Sequence, residues 1–128
     1  MAEKKKILVV DDEYEFVDLL KARLEASGYE VFTALDGDEG LSKFKSVKPD
    51  ALLLDIMMPG TDGLEVLRRI RLEDKVVPIF IVTAFSNEER FKIATKFNAS
   101  GFIIKTSDLK AEIKNIQAAI DIASKYRK

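Results

Sequence analysis

The chain has 128 residues, 47% of them hydrophobic and 34% charged, with a formal net charge of −1. That is the size and composition of one ordinary globular domain, and the near-neutral balance argues against nucleic acid as a direct partner, because phosphate-backbone binding rests on clustered Lys and Arg. With no cysteine and no histidine in the chain, disulfides, thiolate or imidazole metal sites, Ser-His-Asp catalysis and phosphorylation on a histidine of this chain are excluded.

Five short apolar runs alternate with stretches of helical periodicity. The first run is Ile7–Val10, after the lysines at 4 to 6. The longest apolar runs, only four or five residues, are too short for a signal peptide or a membrane span, so the chain reads as cytoplasmic with no membrane insertion. Phe16, Leu19, Leu20 and Leu24 then form a helical stripe that ends before Gly28, a residue suited to the left-handed C′ position. The second run is Val31-Phe32, followed by a helix marked by Leu41 and Phe44 that must finish before Pro49. The third run, Ala51–Leu54, precedes a helix carrying Leu64, Leu67 and Ile70. The fourth run is Ile79–Val82, and the helix after it opens with the capping-box pattern Ser86-Asn87-Glu88-Glu89 and carries Phe91, Ala94 and Phe97. The last run, Phe102–Ile104, leads to a helix that begins near Ser107 or Asp108 and carries Leu109, Ile113, Ile116 and Ile120.

Runs one, three and four lack polar alternation, as expected of parallel strands covered on both faces. Strict alternation with short connections predicts an α/β, doubly wound parallel sheet of five strands, (βα)5. We expect one domain over residues 1–128, ordered over about 5–124.

Four of the five runs stop at a chemically capable side chain: run one at Asp11-Asp12, run three at Asp55, run four at Thr83 and run five at Lys105. In an open parallel sheet these strand ends share the edge where ligands bind. Any one aspartate alone would serve as a helix N-cap, Thr83 alone as a turn residue and Lys105 alone as a solvated charge. Four such groups at four equivalent strand ends are hard to explain separately. Three carboxylates brought together repel unless a cation neutralises them, and a hard divalent ion such as Mg²⁺ suits an all-oxygen donor set. Lys105 adds a mobile positive charge and Thr83 a hydroxyl donor, both suited to a phosphate.

Asp11-Asp12, the stretch Asp55-Ile56-Met57-Met58-Pro59-Gly60 with Asp62-Gly63 after it, Thr83-Ala84 and Lys105 together resemble the response-regulator receiver domain of two-component signalling. The resemblance covers essentially the whole chain. Ala99-Ser100-Gly101-Phe102 looks closest to chemotaxis-type single-domain receivers. It implies a flavodoxin-like fold with strand order 2-1-3-4-5, which sets Asp11 and Asp12 facing Asp55. It implies that Asp55 is the phosphoacceptor and that Mg²⁺ is held by Asp12, Asp11, Asp55 and the backbone carbonyl of Met57. Lys105 and Thr83 would hold the phosphoryl oxygens. Thr83 and Phe102 would carry the switch to a partner surface on helix four, strand five and helix five. With no histidine here, the donor is external: a sensor histidine kinase, a histidine phosphotransfer protein or a small acyl phosphate. The output is a downstream protein target, bound by a monomer or weak dimer that is a phosphorelay acceptor and not a turnover enzyme. The chain ends shortly after its fifth helix, as a stand-alone receiver or one preceding an effector would.

Two departures from the family pattern stand out. Thr106 follows Lys105 where proline is usual, and a cis bond before threonine costs about 3–4 kcal/mol, so the loop is either strained or reshaped. Met57 and Phe85, two positions after Asp55 and Thr83, border the path of hydrolytic water and are expected to slow self-dephosphorylation. Three rivals remain. A haloacid-dehalogenase-type phosphatase wants an aspartate where Met57 stands, and a flavin carrier wants a Ser/Thr/Gly-rich loop where Asp11-Asp12-Glu13 stands. A phosphorylation-independent pseudo-receiver is supported by Thr106 alone.

Overall fold

The computed structural model describes residues 4–84, 88–105 and 108–125, with the backbone alone at Thr61. Five parallel strands, β1 (Lys6–Val10), β2 (Glu30–Ala34), β3 (Ala51–Asp55), β4 (Ile79–Thr83) and β5 (Gly101–Ile104), form one sheet in the order β2-β1-β3-β4-β5. The helices between and after them are α1 (Tyr14–Ala26), α2 (Gly37–Val47), α3 (Gly63–Glu73), α4 (Glu88–Lys96) and α5 (Leu109–Ser124). The fold is the doubly wound α/β one that strict alternation predicts, with the flavodoxin-like strand order that the resemblance implies.

Parity along the strands decides which layer each side chain joins. Leu8, Val10, Leu52, Leu54, Ile79 and Ile81 pack with Phe44, Leu64, Leu67, Ile70 and Ala94 on the α2–α4 side. Ile7, Val9, Ala51, Leu53, Phe80, Val82 and Ile103 pack with Val17, Leu20, Leu24, Ile113, Ile116 and Ile120 on the α1–α5 side. Strands β1, β3 and β4 are therefore buried on both faces, which is why their runs show no polar alternation.

The helix ends follow local chemistry. Gly28 adopts φ +98° just beyond α1, the left-handed conformation that glycine permits without strain. Asp36, Asp62 and Asp108 cap α2, α3 and α5 by accepting backbone N–H groups of Glu39, Leu64 and Lys110. The capping-box residues Ser86 and Asn87 lie outside the described residues.

One stripe residue differs from expectation. Leu19 is 46% exposed, and Val17 takes its place among the buried residues of α1. Leu20 and Leu24 fix the centre of the buried face. At about 100° per residue Val17 falls on that face, whereas Leu19 falls well to the side of it. A further small element separates β3 from α3, an antiparallel two-residue ribbon pairing Met57 with Asp62 and Met58 with Thr61. Pro59-Gly60 turns it, with Gly60 at φ +73°, as the third position of a type II turn requires.

Candidate functional site

The strand register assembles the site. Val10 pairs with Leu54 and Asp55 with Val82, so the residues that follow β1 and end β3 and β4 emerge side by side at the carboxyl edge. The N–H of Asp11 donates to the carbonyl of Ala34 (3.0 Å), continuing the strand pattern by one step and aiming the next residues over the edge. On the far side, Thr83 pairs with Ile104, and the N–H of Lys105 donates to the carbonyl of Thr83 (2.8 Å). All the strand-end groups singled out in the sequence thus meet at the switch point between β1 and β3 and along β4 and β5.

Asp11, Asp12 and Asp55 each present a carboxylate oxygen, all within 4.8 Å of one another. Asp11 and Asp55 are buried, at 1% and 4% exposure, while Asp12 is exposed. Lys105, whose side chain is 8% exposed, brings its Nζ to 2.9 Å from Asp11 Oδ2 and 3.3 Å from Asp55 Oδ2, and contacts Glu13 Oε1. The ammonium also lies 5.0 Å from the centre of the Phe16 ring, within cation–π range. Three carboxylates therefore contact one ammonium, and a fourth, that of Asp12, lies beside Asp11 and Asp55.

Their ionisation reflects that imbalance. Burial pushes the Asp11 carboxyl up to about 6, and the Asp55 charge pushes the same way. The Glu13 N–H, donating to Asp11 Oδ1 at 2.8 Å, and Lys105 only partly offset it. Burial works against the charge on Lys105, but Glu13, then Asp11 and Asp55, outweigh it and hold its pKa above the ordinary lysine value.

These residues fit a hard divalent cation. The donor set is all oxygen and net negative, and among the described residues no hydrogen-bond donor is aligned on buried Asp11 Oδ2, despite its ion-pair distance from Lys105. A cation would satisfy that oxygen.

The loop after Asp55 is held by its backbone. The N–H of Met57 donates to Asp55 Oδ1 at 2.8 Å, so the two oxygens of Asp55 have different neighbours, a peptide N–H on one and Lys105 on the other. Gly63 is what allows α3 to start so close. A Cβ there would sit 2.4 Å from the carbonyl oxygen of Asp55 and 2.4 Å from Cα of Ile56, both backbone atoms with no freedom to yield. The Met57 side chain is 57% exposed. Thr83 is buried at the end of β4, and Phe102 is half-buried, its ring 4.4 Å from that of Phe91 on α4. Phe85 and Thr106, and with Thr106 the geometry of the peptide after Lys105, lie outside the described residues.

Sequence reasoning missed Glu13, Phe16 and Arg90. Glu13 and Phe16 meet a lysine about ninety positions away, and no spacing rule announces such a contact. Arg90 donates to Asp62 Oδ1 (2.7 Å) and to the carbonyl of Ile56 (3.3 Å), joining α4 to the loop after Asp55. Neither Asp11 nor Asp12 caps α1: the N-cap is Glu13, whose side chain makes no cap bond, which leaves both aspartates to the site.

An open parallel sheet with three carboxylates and a lysine gathered at its carboxyl edge is a doubly wound α/β domain with its polar site where such sheets bind ligands. The chain belongs to the response regulator receiver domain family, whose model matches residues 7–117. Receiver domains are signalling modules of two-component systems, and response regulators act with sensor histidine kinases. Among curated proteins, the chain is 40% identical over 123 residues to the alkaline phosphatase synthesis transcriptional regulatory protein PhoP of Bacillus subtilis, covering 94% of this chain and 51% of that protein. The chain thus spans about half the length of such relatives. Among solved structures, it resembles a CheY-like receiver domain protein from Methanospirillum hungatei, with TM-score 0.92, 28% identity and coverage of 97% and 99% of the two chains. It also resembles the beryllofluoride-activated N-terminal receiver domain of RstA from Klebsiella pneumoniae, with TM-score 0.85, 28% identity and coverage of 91% and 98%.

Proposed function

We propose that this domain accepts a phosphoryl group on Asp55 from an external phosphohistidine and uses it to change a binding surface. The observation that supports this best is the buried Asp55 carboxylate, with Met57 N–H on Oδ1 and Lys105 Nζ near Oδ2. A carboxylate oxygen of Asp55 attacks phosphorus in line. The new O–P bond forms as the P–N bond to the donor imidazole breaks, and the imidazole keeps that electron pair and takes up a proton. Asp12, Asp11, Asp55 and the backbone carbonyl of Met57 would hold Mg²⁺, which supplies charge neutralisation to the phosphoryl oxygens. Lys105, released from Asp11 and Glu13, turns to the phosphoryl group, and the Thr83 hydroxyl donates to it. Most of the rate enhancement is positioning and charge compensation.

The readout runs through Thr83 and Phe102 to α4, β5 and α5, where a downstream protein would bind. Phe102 is stacked on Phe91 of α4, so a change at the Thr83 end of β4 reaches the helix through one ring contact. A sensor histidine kinase or histidine phosphotransfer protein in the cytoplasm is the partner that supplies the phosphoryl group.

The test is Mg²⁺-dependent binding of beryllofluoride, an aspartyl-phosphate mimic, followed by NMR on wild type and Asp55→Asn. Wild type should shift at Thr83, Phe102 and α4, and Asp55→Asn should stay silent while keeping its fold. Labelling of Asp55→Asn at an aspartyl linkage by a phosphodonor would refute the assignment. A wild type that binds Mg²⁺ but not beryllofluoride would favour a phosphorylation-independent binding module.

A further inference from the structure

One peptide unit separates the acceptor carboxylate from the helix that carries the readout. Its N–H, on Met57, donates to Asp55 Oδ1 at 2.8 Å, and its carbonyl, on Ile56, accepts from Arg90 Nη2 at 3.3 Å. The same nitrogen of Arg90 donates its second hydrogen to Asp62 Oδ1 at 2.7 Å. Asp62 in turn caps α3 through the N–H of Leu64 (2.9 Å) and pairs with Met57 across the small ribbon. The Arg90 side chain is 27% exposed against 56% for Asp62, so the arginine is the more buried of the pair. Arg90 is the third residue of α4, the helix on which Phe91 meets Phe102.

We infer that Arg90 is a positioning residue for phosphoryl acceptance and the link by which the state of Asp55 is felt at the start of α4. A cation on the carbonyl end of a peptide polarises that peptide and strengthens the hydrogen bond at its N–H end. Arg90 thereby sharpens the bond that fixes the plane of the Asp55 carboxylate, with Oδ1 held and Oδ2 left toward Lys105. The link works in both directions. When Asp55 carries a phosphoryl group its charge distribution changes, the demand on the Met57 N–H changes with it, and the Ile56 carbonyl transmits the change to Arg90. Asp62 supplies the fixed point: because it also caps α3, Arg90 can release the Ile56 carbonyl without losing its anchor. Phe91, the next residue, is placed to pass the movement to Phe102. This coupling route is separate from the one through Thr83, and it rests on the phosphoacceptor reading of Asp55.

The experiment compares wild type, Arg90→Gln, Arg90→Lys and Asp62→Asn by NMR, first without metal and then with Mg²⁺ and beryllofluoride. Without metal, Arg90→Gln should move the Met57 amide proton upfield, a change that merely loosening α4 would not produce. Arg90→Lys should restore most of it. With beryllofluoride, Arg90→Gln should still bind but lose most of the shift in α4 around Phe91. Its phosphorylation by phosphoramidate, which needs no protein partner, should slow about five- to tenfold. Asp62→Asn, which keeps a capping side chain on α3, should give the same changes at smaller size, so the inference stands or falls on it if Arg90→Gln does not fold. A Met57 amide and an α4 response indistinguishable from wild type in Arg90→Gln would overturn the inference while leaving the phosphoacceptor reading intact. A wild type that fails to bind beryllofluoride would remove both.

Discussion

Asp11 is the residue on which most of the local physics converges. It sits within 1% exposure beside Asp55, and burial raises its pKa from the ordinary 3.8 to about 6. A carboxyl raised in this way holds its proton more tightly folded than unfolded. Its contribution to stability is fully present below about pH 4 and is lost as pH rises through about 6. Asparagine cannot make that transition. In EDTA, the stability of Asp11→Asn relative to wild type should therefore increase as pH rises from 4 to 7. Urea unfolding at several pH values checks this, and a pH-independent difference would show that Asp11 carries no such burden. Gly63 makes the complementary point that a missing side chain is also positional. Its place in the Asp62-Gly63 pair is explained by the backbone of Asp55 and Ile56, which a Cβ there would strike.

At the scale of elements, the buried Arg71 near the end of α3 shows how far-apart segments are tied. Its guanidinium donates to the carbonyls of Asn98 (3.0 and 2.8 Å), Val77 (2.7 Å) and Asp74 (3.1 Å), joining α3 to the segments that lead into β4 and β5. Asn98 holds a left-handed φ of +63° there, a conformation asparagine tolerates better than most residues. Replacing Arg71 with Met would keep bulk but leave buried carbonyls unsatisfied, at a cost of about 3 kcal/mol. That corresponds to roughly ten degrees in Tm for a domain of this size, measurable by calorimetry. A loss below about half a kcal/mol would mean that water takes over those carbonyls. Because Arg71 lies at the opposite end of the strands from Asp55, beryllofluoride binding below the melting range should be retained.

For the whole molecule, one sheet serves two cores, so the stability of the domain and the state of its carboxyl edge are linked. A cation that binds only the folded arrangement of Asp11, Asp12 and Asp55 stabilises the entire fold by mass action. At a hundred times its Kd the gain is about 2.7 kcal/mol. Wild type at neutral pH should thus melt higher as Mg²⁺ is added, and Asp12→Asn should lose most of the increment. A melting temperature indifferent to Mg²⁺ in wild type would argue that Lys105 alone neutralises the pocket.

The layer plan was open to reading from local pattern. Unbroken apolar runs at Ile7–Val10, Ala51–Leu54 and Ile79–Val82 arise because these strands are covered on both faces, and each run ended at the group it delivers to the edge. The order of the strands was not in composition or periodicity, and it came from the resemblance carried by the site motifs. What only the tertiary structure decided are contacts between residues far apart in the chain. Leu19 and Val17 differ in burial because packing against the sheet sets the centre of the α1 face. Glu13 meets Lys105 because β1 and β5 end at the same edge, and Arg90 meets Asp62 because α4 and α3 lie on the same side of the sheet. Local sequence determines which residues stand at strand ends and helix starts, since backbone geometry is a near-neighbour property. Which charge faces which is settled by the register and winding of the whole sheet, because only these bring distant residues within reach.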